Sequence, residues 1–168
     1  MRLEGIECSK RLFTSSVALV TSRHNGITNV MSAEWSLRVS LEPYLVAVFV
    51  GIERGTHSLI EKSGEFALNY CSDEQAELAH IAGNNSITDG IDKWSLGSFR
   101  TFAGRHIGAP LIEGCVSNLE CTVVSSFRAG DHTAFIGKVL NAYCDAAKRP
   151  LIYRGGKYYR IGELVAKR

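Results

Sequence analysis

The stretch SVALVTSRHNGITNVMSA, residues 16–33, decides the fold. Two runs rich in aliphatic and β-branched residues, SVALVTS (16–22) and ITNVMSA (27–33), flank RHNG, and Asn25-Gly26 is a dipeptide that readily adopts the positive φ angles of a tight hairpin turn. The pattern predicts a β-hairpin. Its second arm runs on as NVMSAEW (29–35), where small and hydroxyl side chains, an acid and a tryptophan interrupt the alternation of a plain core strand. On an extended chain Asn29, Met31, Ala33 and Trp35 face one way, and Val30, Ser32 and Glu34 the other. Two readings stand. Either this is a half-buried strand with Trp35 in the core, or a flat heteroaromatic ring lies against it, using Ser32, Ala33, Trp35 and free main-chain groups.

Outward from the hairpin, strand signals continue. A turn at Glu42-Pro43 precedes residues 44–50 (YLVAVFV), apolar on both faces and so an interior strand. Residues 66–71, 119–127, 133–143 and 150–153 extend the series, with RAGDH (128–132) joining the second and third of these as a hairpin. Two helices are predicted. One opens at Thr56 and runs to Gly64; the other opens at Ser72, where Ser72 and Gln75 fit a capping box, and stops at Gly83. Many short strands and few helices predict a sandwich or barrel in a single domain. Residues 83–108, rich in Gly, Ser and Asn, form a long connection of the kind that is often functional.

Composition excludes several function classes. The chain has 168 residues, with 19 basic and 17 acidic side chains scattered along it, so no basic run tracks a nucleic-acid backbone. The longest apolar run is too short to span a bilayer, and the N-terminus lacks the apolar stretch of a signal peptide, which gives a cytoplasmic expectation. Five cysteines without a C-x-x-C pair read as buried free thiols, and five dispersed histidines give no metal motif. No G-x-G-x-x-G fingerprint is present, so a bound nucleotide is held in some other way.

Two further segments carry candidate chemistry. In GIERGTHS (51–58) a buried strand leads into a helix whose first amides lack intrahelical partners, a place suited to phosphate. Arg54 can supply a bidentate contact and the hydroxyls of Thr56 and Ser58 further donors. The alternative is that Thr56 is an N-cap and Arg54 a solvated turn residue. In GDHT (130–133) His132 sits at a hairpin mouth, where a group that titrates near neutrality can donate to a ring carbonyl or steer a proton; equally, Asp131 organises the turn and His132 faces water.

Taken in order, VALVTS, NGITNVMSAEW, VSLEPYLVAVFVG, RGTHSLI, GEFALNY, DKW, GDHTAFIGKV and LIYRGGKYYRIG, covering residues 17–162, resemble the flavin reductase family. The resemblance implies a mainly β fold, a Greek-key split β-barrel that binds FMN. It implies that Asn29, Val30, Met31, Ser32, Ala33, Trp35 and the adjoining Ser36 bind the isoalloxazine ring, that Arg54, Thr56 and His57 form the phosphate pocket, and that His132 lies near flavin and nicotinamide as the candidate catalytic residue. NADH or NADPH is the implied electron donor, and the implied assembly is a homodimer with the flavin near the interface. Electrons would leave to a small-molecule acceptor or to a partner redox protein. An FMN-carrying electron-transfer protein similar to flavoredoxin is the alternative. Arg38 departs from the family pattern, standing where small or hydroxyl residues are usual; it could reach the phosphate or obstruct the ring.

Overall fold

The computed structural model describes residues 5–6 and 12–167; Cys8 lies outside the described residues. The chain forms, in order, β1 (Thr14–Ser16), β2 (Ala18–His24), β3 (Ile27–Ala33), β4 (Ser36–Ser40), β5 (Leu45–Gly51), α1 (Gly55–Ser63), β6 (Glu65–Tyr70) and α2 (Ala76–Asn84). A 3₁₀ turn (Ile87–Asp89), α3 (Lys93–Gly97), β7 (Thr101–Phe102) and β8 (Leu111–Ile112) follow, and then β9 (Ser117–Ala129), β10 (His132–Cys144), β11 (Leu151–Arg154) and β12 (Lys157–Arg160).

Seven strands make one antiparallel sheet in the order β3-β2-β6-β9-β10-β5-β4. Its two edge strands, β3 and β4, are separated in sequence only by Glu34 and Trp35. A sheet whose opposite edges are joined by two residues has to curl until those edges meet. Among the described residues no ladder joins β3 to β4, so the barrel stays split at this corner. The Phe49 amide donates to the Trp35 carbonyl at 2.9 Å and fixes the corner against β5.

Period-two alternation fills the barrel. Ala18 and Val20, Val46, Val48 and Val50, Phe66 and Leu68, and Leu119 and Cys121 point inward with Ala33 and Phe135, and Ile60 of α1 plugs one end. Burying one such large side chain is worth about 1.5–3 kcal/mol. The opposite face of the β2–β3 hairpin is covered as well, because Leu19 and Val30 pack under Ala79 and Ala82 of α2 together with Val17, Ile112 and Leu151. β2 is therefore buried on both faces. The hairpin turn is as the sequence predicts, with Asn25 at φ 48° and Gly26 at φ 80°.

Three expectations need correction. The second helix opens at Ala76 rather than at Ser72; the Gln75 side chain accepts from the Ser72 amide at 3.0 Å, but the Gln75 amide donates to the Ser72 carbonyl, making a turn ahead of the helix. Residues 83–108 are not a bare connection, since the Asp92 carboxylate accepts from the amides of Trp94 and Ser95 and starts α3. Of the described cysteines, Cys71, Cys115 and Cys121 are buried free thiols, but Cys144 is exposed. Burial pushes the Cys115 and Cys121 thiols up to about 12, which keeps them protonated and unreactive.

Candidate functional site

The split corner gathers residues from three separate segments of the chain. β3 ends there with Ser32 and Ala33, the corner itself supplies Glu34 and Trp35, the β5–α1 turn brings Arg54, and the β9–β10 hairpin brings His132. Sheet pairing sets His132 directly opposite Gly51, so the hairpin mouth and the start of the Arg54 turn are neighbours by register.

The alternation expected of NVMSAEW holds up to the corner and then breaks. Met31 and Ala33 face the barrel interior, while Val30 packs under α2 and Ser32 meets the end of that helix, where a Cβ added to Gly83 would lie 3.3 Å from the Ser32 Cβ. Trp35 does not enter the core. It is 50% exposed and its ring meets the His132 imidazole, with centroids 4.5 Å apart and planes tilted by 43°. Ser36 is turned toward Tyr70 with its hydroxyl buried, away from the surface that Ser32 and Trp35 share.

His132 is oriented by its neighbour. Its Nδ1 lies 2.7 Å from a carboxylate oxygen of the exposed Asp131, and this hydrogen bond holds the Asp131 carboxyl below the ordinary carboxylate range. With Nδ1 so engaged, Nε2 is the nitrogen left for a ligand; it lies 3.7 Å from where a Gly51 Cβ would stand.

The Arg54 turn leads directly into α1. Arg54 is the N-cap position of α1 and makes no side-chain cap bond, and the first helix amide to find a carbonyl is that of His57, which donates to Arg54 at 2.9 Å. The Gly55 and Thr56 amides precede it, in the first turn where N–H groups lack helical acceptors. Gly55 is required by close approach, because a Cβ there would stand 2.4 Å from Ile87 of the 3₁₀ turn. The Arg54 guanidinium is exposed and has no ion-pair or hydrogen-bond partner among the described residues.

Two of the predicted phosphate residues are turned elsewhere. The Thr56 side chain is fully buried and its hydroxyl accepts the Asn29 amide at 2.9 Å, so this pair staples β3 to α1 instead of facing a cavity. The His57 Nε2 lies 2.8 Å from the Thr133 hydroxyl, and its ring stands edge-on to Phe135, tying α1 to β10. Tertiary partners, Asn29 on β3 and Thr133 on β10, hold both side chains inward. Arg38 is exposed on β4, opposite Val46, and lines none of the cavities that contain Arg54.

Three adjoining cavities share Arg54. One of about 530 Å³ is lined by Gly51, Glu53, Ser86, Thr88, Asp131 and His132. One of about 170 Å³ runs along residues 31–35 to Phe49, Gly83 and His132. A third, of about 280 Å³, lies between Ser32, Glu34, Asn84 and the two tyrosines Tyr153 and Tyr158. Burial raises the Glu34 carboxyl above its ordinary value. A larger cleft of about 660 Å³, beside Arg23, Trp94 and Phe102, shares no residue with these three.

Sequence reasoning missed Glu34 as a wall, Ser86 and Thr88, and Tyr153 and Tyr158. The aromatic residues stood in the quoted LIYRGGKYYRIG segment, but nothing local indicated that the β11–β12 hairpin folds back beside β3.

The arrangement offers an elongated channel, with small side chains and strand edge along one part and an unpaired cation at a helix start along another. The chain is similar to the Streptomyces globisporus C-1027 NADH:FAD oxidoreductase SgcE6, solved in complex with NAD and FAD fragments (27% identity, TM-score 0.87, covering 99% of this chain and 100% of that one). It is similar to an FMN-binding protein from Thermus thermophilus solved with bound p-hydroxybenzaldehyde (27% identity, TM-score 0.85, covering 100% and 96%). It is also 29% identical over 157 residues to the reductase component of a 4-nitrophenol 4-monooxygenase/4-nitrocatechol 2-monooxygenase from Rhodococcus opacus, covering 93% of this chain and 78% of that protein. Residues 10–162 match the model of the flavin reductase like domain, and the chain belongs to that family.

Proposed function

We propose that the chain is an FMN-dependent NAD(P)H oxidoreductase, a flavin or ferric reductase. The observation that carries this reading is the convergence on one channel of the unpaired Arg54, the small-residue edge of β3, and the Trp35–His132 pair. The residues present fit a flavin mononucleotide: an anion at Arg54 and the first amides of α1, and a ring along Met31, Ser32, Ala33 and Trp35, with Asn29, Thr56, His57 and Ser36 supporting these positions from behind. When bound, the flavin supplies the chemistry by accepting hydride from reduced nicotinamide at N5.

The chain's own contribution is alignment and hydrogen bonding. Asp131 holds His132 with Nε2 toward the channel, and Trp35 limits how far a second ring enters. Because neutral His132 donates to Asp131 from Nδ1, Nε2 accepts; after protonation it donates, so one residue can serve either partner. No nucleophile is needed.

The proposal extends to one domain acting as a homodimer with the flavin near the interface. Supporting it, Leu37 and Val39 of β4, Leu41 just after it, and Val124 and Phe127 of β9 are exposed apolar side chains, and β4 begins at the flavin corner. Electrons would pass to a small-molecule acceptor or, as the resemblance to an oxygenase reductase component suggests, to a partner redox enzyme. No described helix is long and apolar enough to cross a membrane; a cytoplasmic location is proposed from the sequence. Consumption of NADH or NADPH that depends on added FMN supports the reading, and consumption that FMN does not alter sinks it.

A further inference from the structure

We propose that the cleft between the tip of the β2–β3 hairpin, α3 and the loop 103–110 is a second small-molecule site, separate from the Arg54 channel. Its ligand is a planar aromatic carboxylate: Trp94, Phe99 and Phe102 hold the aromatic body, and Arg23 holds the carboxylate.

Sheet register builds the floor. Leu19 stands opposite Ser32, Thr21 opposite Val30 and Arg23 opposite Thr28, so these pairs share one face of the hairpin. α2 covers Leu19 and Val30, and the Thr21 hydroxyl donates to the Pro110 carbonyl at 2.6 Å. The last pair, Arg23 and Thr28, is left to line the cleft of about 660 Å³.

The walls are fixed from outside the cleft. α3 is tied to β3 at two carbonyls, with Lys93 Nζ donating to Val30 and the Trp94 indole to Thr28 at 3.2 Å. Trp94 stands edge-on to Phe99 with centroids 5.6 Å apart, and Phe102 stands edge-on to Tyr143 of β10 at 5.3 Å. Carboxylates hold the loop by its amides. Glu65 accepts from Gly108 at 2.6 Å, and Glu120 accepts from His106 at 2.7 Å and from Ile107 at 3.3 Å. The cleft is therefore preformed, and its volume falls within the roughly 300–1,000 Å³ of small-ligand pockets.

Charge selects the ligand. Arg23 is the only ionisable residue lining the cleft, and its exposed side chain has no ion-pair or hydrogen-bond partner among the described residues. The acids of the neighbouring elements are engaged elsewhere. Glu65 and Glu120 accept from loop amides, Asp92 accepts from the Trp94 and Ser95 amides at the start of α3, and none of the three lines the cleft. Because Asp92 already occupies those first helix amides, no ring of free N–H groups awaits a phosphate here. One planar guanidinium matches one carboxylate bidentately, and the aromatic walls match a flat ring. The cleft shares no lining residue with the cavities around Arg54, so this ligand binds with or without a flavin in the channel.

The test is calorimetric titration of the full chain with 2-naphthoate and with its neutral counterpart 2-naphthamide, each in the absence and presence of FMN. Naphthoate is expected to bind with a Kd of about 1 mM or tighter, the scale for a ligand of this size. FMN should leave that value unchanged. The amide should bind about tenfold more weakly, the worth of a charge-assisted contact. Arg23→Gln should weaken naphthoate about tenfold and leave naphthamide as it was. No binding of naphthoate, equal affinity for the two probes, or displacement of naphthoate by FMN overturns the proposal. So does loss of binding in Arg54→Ala with none in Arg23→Gln, which would put the probe in the Arg54 channel. Should Arg23→Gln not fold, the wild type decides through its two tryptophans: naphthoate should shift the NMR signal of the Trp94 indole N–H, and a shift confined to Trp35 also overturns the site.

Discussion

Trp35 and His132 are in ring contact, centroids 4.5 Å apart, although one ends the β3 arm and the other opens β10. The contact exists because β5 pairs with both β4 and β10, setting the Trp35 corner and the His132 hairpin mouth on either side of one strand.

His132→Ala is expected to leave FMN affinity nearly unchanged and to slow reduction by the nicotinamide roughly ten- to a hundredfold, the worth of one hydrogen bond to a reacting partner. Stopped-flow absorbance on the FMN-loaded variant measures this. Wild-type kinetics would remove His132 from the reaction.

For Arg54→Ala, one lost charge-assisted hydrogen bond, about 1.5–3 kcal/mol, should weaken FMN by roughly one to two powers of ten. Riboflavin, without the phosphate, should bind as before. Equal loss for both would place Arg54 outside the anion site.

Thr56→Val separates the staple from the anion site. It leaves the buried Asn29 amide without its acceptor, at a cost of about 1–3 kcal/mol of folding stability. Denaturant midpoints should fall while the FMN affinity of the folded protein changes far less than in Arg54→Ala. The reverse pattern would mean that the Thr56 hydroxyl contacts phosphate after all.

Glu34 gives a pH prediction. Burial raises its folded-state value above the unfolded one near 4.5, so its favourable contribution is fully present below that value and is lost as pH rises through the folded value. Glu34→Gln, which cannot ionise, is expected to be more stable than wild type at neutral pH by less than about 1 kcal/mol, since the side chain is only half-buried. The gap should close in acid. A constant gap across that range would show that ionisation of Glu34 is not its cause.

Much of this architecture was legible because local chemistry and tertiary context agree. Asn25-Gly26 takes the turn its residues favour, the valines of β5 alternate into the core, and Gly130-Asp131 turns the β9–β10 hairpin. β4 was missed: its sequence SLRVS is exposed along most of its length and carries little of the apolar signal by which a strand is recognised. The positions of Arg54 in a turn before a helix and of His132 at a hairpin mouth are legible because both are local features. The directions of Thr56 and His57 are not legible locally, because distant partners, Asn29 and Thr133, set them, and a lysine in a polar loop such as Lys93 gives no sign that tertiary packing will bury it.

The central claim is tested most directly by loading the protein with FMN, removing free flavin, and following the flavin's visible absorbance anaerobically as NADPH and then NADH are added. The account predicts that the retained band bleaches rapidly with at least one of the two nucleotides. A retained band that neither nucleotide bleaches would contradict it and leave an electron carrier reduced by another protein.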